Sequence, residues 1–294
     1  MDSESVKIPY LYFMDTQDLS DHCPVLGQNN ETYFEVVHDD KNSVFMLYKP
    51  ADISGCTRSV VIFSQSNGPI RDEYFLSKTN WKFPEAHLFF VSDTSYFNKN
   101  SDGLSNGSHY MTDFRSDTSL VHSVLLKFHE LLGIAFSKII GLDSAGYSAL
   151  QFSAIFDEIA PWTITMAINS PLGKSGLTNT DSIEAIFGKP IDWKINYDKI
   201  KAKSAKGKHL FYVVQNSSDE LRYKSAFLKF KRDFQENGVQ GWVYQTPAVS
   251  FYNNATTDHV NLSRNVAFDF LDWISNGNPS ATHNAGIYRL NREI

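Results

Sequence analysis

Cysteine is scarce in this chain of 294 residues, which contains only Cys23 and Cys56. Two thiols are too few for a disulfide framework or a metal cluster, so we expect neither, and the scarcity fits a reducing compartment. The N-terminal residues also lack a basic segment followed by an apolar core, which argues against a signal peptide. These absences predict a cytoplasmic protein.

Long apolar runs and dense basic runs are missing as well. No apolar stretch approaches the roughly 18 residues that a membrane-spanning helix needs. The formal net charge is −6, and no cluster of lysine and arginine is interleaved with aromatic residues, so we expect no nucleic-acid partner. The lysine-rich stretch 199–208 is interpreted as a solvated helix and loop.

The composition predicts one folded domain. Hydrophobic residues make up 42% of the chain and aromatic residues 14%, which is ample for a single core. The middle of the chain has no linker rich in Pro, Gly or Ser, and no internal repeat is present. We place the domain at 33–275, preceded by a polar N-terminal arm at 1–32 and followed by a C-terminal tail at 276–294. Both end segments are candidate partner-binding arms, and the oligomeric state is left open, a homo-oligomer included.

The order of predicted elements indicates an α/β protein. Two strands come first, and strands then alternate with helices, which predicts a mostly parallel sheet with an antiparallel start and helices on both faces. The predicted strands are 33–37, 44–48, 60–64, 87–92, 136–142, 163–169, 209–215 and 242–245. The predicted helices are 72–78, 119–132, 145–159, 181–187, 220–236 and 260–274.

The stretch 136–150 carries the strongest motif of the chain. A short apolar strand leads through small residues into a helix, which is the layout of the nucleophile elbow of α/β-hydrolases, G-x-S-x-G. The elbow is a strained turn that needs small residues two positions before and after its centre. A centre at Asp143 is flanked by Gly141 and Ala145, whereas a centre at Ser144 is preceded by Leu142. The steric rule therefore favours Asp143 as the central residue, with Ser144 one step beyond.

The remaining members of a hydrolase site follow in the expected order of nucleophile, acid and histidine. Asp219 comes shortly after the strand at 209–215, where the superfamily has its acid. His259 lies in a loop between the strand at 242–245 and the last predicted helix, where the superfamily has its base. The oxyanion hole is expected to use the backbone N–H of Gln65, from the loop after the strand at 60–64, and that of Ser144.

Together these residues resemble the α/β-hydrolase-fold O-acetyltransferases of bacterial capsular polysaccharide biosynthesis, over about 44–274. Besides Asp219 and His259, the motifs are 60–64, the elbow at 141–150 and Ala167-Ile-Asn-Ser-Pro171. The resemblance implies an α/β-hydrolase fold, acetyl-CoA as acyl donor, a saccharide acceptor and no tightly bound cofactor. This sequence departs from the family at one point, because an ungapped match places Asp143 on the family's nucleophilic serine.

The departure leaves three hypotheses open. Ser144 attacks an acyl group with His259 as general base and Asp219 orienting the imidazole. Alternatively, Asp143 is the nucleophile, since a carboxylate is already ionised at neutral pH, and water activated by His259 cleaves the resulting ester. In the third hypothesis the site is silent and the fold serves for binding or scaffolding. The first makes the chain an acyltransferase or an ester hydrolase, and the second makes it an Asp-nucleophile hydrolase similar to the halide- and epoxide-processing members of the superfamily.

Overall fold

The protein is built around one ten-stranded sheet. The computed structural model describes residues 10–22, 31–39, 42–63, 86–91, 120–142, 145–155, 163–168, 196–205, 209–216, 232, 236, 241–246 and 288–289. The strands are β1 (Tyr10–Phe13), β2 (Thr32–Asp39), β3 (Asn42–Lys49), β4 (Arg58–Phe63), β5 (His87–Val91), β6 (Ala135–Leu142), β7 (Thr163–Ile168), β8 (His209–Asn216), β9 (Gly241–Thr246) and β10 (Tyr288–Arg289). All eight strands predicted from the sequence are present, as β2 to β9.

The helices in the described part of the chain are α1 (Thr16–His22), α2 (Leu120–Leu132), α3 (Ala145–Ile155) and α4 (Tyr197–Ala205). Two of them confirm predicted helices, at 119–132 and 145–159, and α4 confirms the helical part of the lysine-rich stretch. Arg232 and Glu236 are helical and lie inside the helix predicted at 220–236, and Arg232 Nε is 3.7 Å from Glu236 Oε1. The helices predicted at 72–78, 181–187 and 260–274 lie outside the described residues.

The sheet is mixed at its edges and parallel through its centre. Its spatial order is β1-β2-β3-β5-β4-β6-β7-β8-β9-β10. The six neighbours from β5 to β9 all run parallel. Strand β3 is antiparallel to both β2 and β5, and β10 is antiparallel to β9. The predicted α/β class, with a mostly parallel sheet and an antiparallel start, is confirmed.

The burial of the strands explains why the sequence pattern predicted them. Strand β4 is buried at every position after Arg58, as expected for a central parallel strand covered on both faces. Strand β2 lies nearer the edge, and along it buried Thr32, Phe34 and Val36 alternate with half-buried residues. Alternation of that kind is typical of a strand with one face on the core.

Aromatic side chains form the centre of the core between the sheet and α2. The ring of Phe128, on α2, lies 5.2 Å from that of Phe34 and 5.1 Å from that of Phe89, centroid to centroid. Phe136 of β6 extends the cluster, with its ring 5.4 Å from Phe89. All four side chains are less than 2% exposed, so they fix the distance between α2 and the sheet.

Part of the N-terminal segment 1–32 is folded onto the sheet. Within it, β1 pairs in parallel with β2, and α1 connects them as a crossover helix. Phe13 is 4% exposed and stacks on Phe34 at 6.1 Å, while Leu19 is fully buried. These two apolar side chains attach an otherwise polar segment to the core. The exact division of the chain into 1–32, 33–275 and 276–294 stays a prediction.

In the described part of the chain, no helix is long and apolar enough to cross a membrane.

Candidate active site

The sheet changes its winding direction between β4 and β6. These strands are parallel neighbours, but the chain leaves β4 toward β5 on one side and leaves β6 toward β7 on the other. In open α/β sheets, ligands bind in the crevice outside the carboxyl ends of two such strands, because their connections diverge there. The crevice of this sheet therefore opens beyond Phe63 and Leu142, the last residues of β4 and β6.

The elbow motif lies at this crevice. Strand β6 ends at Leu142 and α3 begins at Ala145, so the strand-turn-helix layout predicted from the sequence is present on both sides of the turn. Asp143 and Ser144, the two candidates for the nucleophile, lie outside the described residues. Gly141 is buried and pairs with Phe63 on one side and Ala167 on the other.

Helix α3 is fixed in place by burial. Gly146 and every residue from 148 to 155 are buried, which is typical of a helix covered on all sides. Phe152 of this helix packs on Phe63 with their ring centroids 5.1 Å apart, and the edge of buried His122 faces it at 6.3 Å. Because Phe63 ends β4, this contact ties α3 to the strand that precedes the predicted oxyanion loop.

Polar groups on α3 link it to the next helix. The buried Gln151 side chain accepts a hydrogen bond from the backbone N–H of Asn196 at 3.3 Å. Asn196 in turn caps α4, since its side-chain oxygen accepts the N–H of Lys199 at 3.1 Å. Sequence reasoning did not single out Gln151, although an amide in a helix otherwise made of apolar and small residues was a usable signal.

Three further candidates follow parallel strands whose carboxyl ends lie at this edge of the sheet. Gln65 comes after β4, Asp219 after β8 and His259 after β9, and all three lie outside the described residues. The strands that precede them are in register, since Ile168 of β7 pairs with Val214 and Asn216 of β8 pairs with Thr246. The carboxyl ends of β4, β6, β8 and β9 therefore point the same way.

A metal-dependent site finds no support in the described part of the chain, which contains no group of three His, Cys, Asp or Glu side chains able to hold a metal ion.

The architecture defines the class of fold. An antiparallel β2-β3 pair, a crossing of the chain from β5 over β4 to β6, and a strand-turn-helix at the centre of the sheet are the arrangement of the α/β-hydrolase fold. The fold implied by the resemblance is thus confirmed. The acetyltransferase subtype and the aspartate nucleophile stay predictions.

No protein-family model matches the sequence, and no curated relative matches it. Among solved structures, the chain is similar to MGS-M1, an alpha/beta hydrolase enzyme from a Medee basin deep-sea metagenome library. The identity is 10% over 84% of this chain and 98% of that one, with a TM-score of 0.49.

Two peptidases are also similar. The Pyrococcus horikoshii acylaminoacyl peptidase has 11% identity over 74% of this chain and 36% of its own, with a TM-score of 0.42. Porphyromonas gingivalis dipeptidyl peptidase 4 has 11% identity over 74% of this chain and 32% of its own, with a TM-score of 0.45. This chain spans well under half the length of either. Identities this low are likenesses of fold, and the strand order carries the fold assignment by itself.

Proposed function

We propose that this protein transfers or hydrolyses acyl groups at the crevice outside β4 and β6. The observation that carries the proposal is the coincidence of two features at one place. The winding direction of the sheet changes between β4 and β6, and the elbow motif falls between β6 and α3. An elbow at the switch point is where α/β-hydrolases hold their nucleophile.

Chain length supports a complete set of catalytic groups at this edge. Asp219 follows the last residue of β8 by three positions, and Gln65 follows the last residue of β4 by two. A chain advances at most about 3.6 Å per residue, so neither can lie more than roughly 11 Å from its strand end. His259 follows β9 by a longer segment, which leaves it free to reach the edge from Thr246.

In the serine route, His259 takes the proton of the Ser144 hydroxyl as its oxygen attacks the carbonyl carbon of an ester or thioester. The tetrahedral oxyanion accepts hydrogen bonds from backbone N–H groups, with Gln65 as one donor. Collapse expels the alcohol or thiol, which takes the proton from His259. Water or a sugar hydroxyl then gives its proton to His259 and attacks the acyl-serine, which releases the product and frees Ser144.

The aspartate route is the alternative, and one observation favours it. In the sequence, Asp143 has the small flanks that an elbow needs, Gly141 and Ala145, and Gly141 is a buried residue of β6. The Asp143 carboxylate would then displace a leaving group from carbon to form an ester. Water that loses a proton to His259 would attack the carboxyl carbon of that ester and leave one new oxygen on Asp143.

The substrate class follows from the resemblance to capsular O-acetyltransferases. We propose acetyl-CoA as the acyl donor and a saccharide hydroxyl as the acceptor, in the cytoplasm. Donor and acceptor would both be substrates, with no resident cofactor.

The decisive experiment uses the full chain with p-nitrophenyl acetate and, separately, acetyl-CoA. The serine route predicts a burst of product and acetylation of Ser144, both lost in Ser144→Ala. The aspartate route is tested with an alkyl halide or an epoxide instead: Asp143→Asn should abolish its turnover while Ser144→Ala is tolerated, and single turnover in oxygen-18 water should label the Asp143 carboxylate. In either route His259→Ala lowers the rate on the order of 10²- to 10⁴-fold, the usual contribution of a positioned general base.

Matched controls are available on the opposite edge of the sheet. Ser54→Ala and Asp52→Asn change the same chemical groups at exposed positions between β3 and β4, and both should keep full activity. Failure to turn over esters, thioesters, halides or epoxides would contradict the proposal, provided that the circular dichroism spectrum shows a folded protein. The chain would then be a binding or scaffolding module with this fold.

A further inference from the structure

His87, the first residue of β5, is hydrogen-bonded at both ring nitrogens. Its Nε2 lies 2.9 Å from the carbonyl oxygen of Cys56. Its Nδ1 lies 2.8 Å from the Tyr48 hydroxyl and 3.2 Å from the backbone nitrogen of Ala51. A carbonyl can only accept and a backbone N–H can only donate, so Nε2 must carry the proton and Nδ1 must accept. These partners fit only the neutral ring, in one tautomer.

The ring holds the turn that connects β3 to β4. Ala51 and Cys56 stand at the two ends of this turn, and both are bonded to His87. Gly55 has a φ of +75° inside it, and the Cys56 N–H donates to the carbonyl of Ile53 at 3.2 Å. His87 therefore closes the turn from outside, at the amino edge of the sheet and opposite the candidate active site.

A second histidine, His129, is hydrogen-bonded to a backbone carbonyl at the same edge of the sheet, but through one ring nitrogen only among the described residues. His129, in the last turn of α2, donates from Nδ1 to the carbonyl of Ile134. Within the described residues its Nε2 has no partner, so a proton added there leaves the existing bond intact. His129 is thus an internal control for His87.

Few charged groups surround His87 in the described part of the chain. Tyr48 faces it from β3, the turn carries Asp52 and Cys56, and β4 begins with Arg58. No acidic side chain among the described residues is bonded to the ring, so none of them would compensate an imidazolium. Glu85 precedes Ala86 in the sequence and lies outside the described residues, so it is included among the variants below.

We propose that His87 is an acid-sensitive latch on the turn 50–57. A proton on Nδ1 would face the Ala51 N–H, and two donors cannot bond each other. The Tyr48 hydroxyl can rotate to accept from the charged ring, but the Ala51 amide cannot. Acidification therefore releases the Ala51 end of the turn from His87, whereas the bonds from His87 to Cys56 and from His129 to Ile134 persist.

Amide hydrogen exchange by NMR tests the latch in the full chain. Protection factors, which correct for the intrinsic effect of pH, are measured between about pH 8 and pH 5, the range in which histidines change charge. We expect the protection of the Ala51 amide to fall about tenfold on acidification, the effect of losing one buried hydrogen bond. The Gly133 amide, which donates to the His129 carbonyl at 2.9 Å, should keep its protection.

Variants identify the group responsible. His87→Gln supplies an N–H and a carbonyl that do not titrate, so Ala51 protection should become independent of pH. His129→Gln and Glu85→Gln should leave the pH dependence as it is. If His87→Gln does not fold, the test is made on the unmodified protein. The imidazole nitrogen chemical shifts of His87 are followed against pH, and the loss of Ala51 protection must occur over the same pH range as the change in those shifts. A pH-independent Ala51 amide, or one that follows another group, would overturn the latch.

Discussion

Two single residues have buried hydroxyl groups that lack a hydrogen-bond partner among the described residues. Thr163 Oγ1 and Ser148 Oγ are buried, and neither has a hydrogen-bond partner within the described residues. A buried hydroxyl without a partner keeps its desolvation cost and gains nothing in return. Both sites are therefore places where a polar atom lowers stability.

We expect Thr163→Val to stabilise the protein by about 1 kcal/mol, because it removes the unpaired hydroxyl and keeps the branched shape. Thr165→Val is the matched control, since Thr165 is equally buried on the same face of β7 but makes a polar interaction. That change should destabilise by a similar amount. Urea denaturation measures both, and equal signs for the two variants would contradict the assignment.

The most buried lysine of the described chain is paired. Lys49 Nζ lies 3.0 Å from Glu31 Oε1, with side-chain exposures of 10% and 41%, and its ammonium lies 5.9 Å from the centre of the Phe90 ring. Glu31→Gln removes the negative charge that lies 3.0 Å from a largely buried ammonium, so we expect a loss of about 1–2 kcal/mol. Glu130→Gln breaks the exposed pair with Lys127 and should cost less than about 0.5 kcal/mol. Thermal unfolding of both variants at low salt makes the comparison, and equal losses would show that burial does not matter here.

At the scale of elements, sequence patterns predicted what burial on a periodic surface determines. Central strands such as β4 are continuous apolar runs, and α2 repeats apolar residues every three to four positions, so both are visible in the sequence. Strand β1 and α1 were missed for a physical reason. A strand of four residues and a helix of seven are too short to show a period. Phe13 and the half-buried Leu11 attach β1 to the core, and Leu19 attaches α1.

Leu19 gives a direct test of that attachment. The side chain is fully buried and belongs to the same core as α2. Leu19→Ala should therefore cost about 2–5 kcal/mol, the usual range for truncating a buried leucine. Gln17→Ala, on the exposed side of α1, should cost less than about 0.5 kcal/mol. If guanidinium titrations give both variants the same small loss, the N-terminal segment is an appendage after all.

For the whole molecule, the fold could be predicted further than the site. Eight strands and the antiparallel start followed from hydrophobic patterning, because every central strand must bury its side chains. The sequence favours Asp143 over Ser144 through its small flanks, Gly141 and Ala145, but that steric rule is a tendency, so Leu142 two positions before Ser144 does not forbid the other centre. The strand order added what no local pattern contains, namely that β4 and β6 are neighbours although β5 lies between them in the sequence.

The two edges of the sheet therefore have different tasks. At the amino edge, backbone groups are joined by side chains and turns, as in the bond from Ser59 Oγ to the Ala135 carbonyl at 3.0 Å. The carboxyl edge is where β4 and β6 diverge and where the sequence puts its catalytic candidates. We therefore expect substitutions at the amino edge to change stability and substitutions at the carboxyl edge to change catalytic activity.

Placement of His259 at the carboxyl edge can be tested without any substrate. A spin label attached to His259→Cys, in a chain with Cys23→Ser and Cys56→Ser, broadens amide signals more strongly the closer they lie. Along β7, Thr163 and Ile168 are about 17 Å apart at roughly 3.3 Å per residue. We expect the label at position 259 to broaden the Ile168 amide more than the Thr163 amide, because ligand sites of such sheets lie beyond the carboxyl ends.

A label on Ile53→Cys provides the reverse experiment, because Ile53 is 51% exposed in the turn at the amino edge. It should broaden Thr163 more than Ile168. The opposite ranking for position 259 would remove His259 from the crevice, and with it both catalytic routes, while leaving the fold untouched. The expected ranking would show that His259, the proposed general base, lies at the same edge as the elbow. The choice between Asp143 and Ser144 would then depend on acetylation of Ser144 or oxygen-18 incorporation into Asp143.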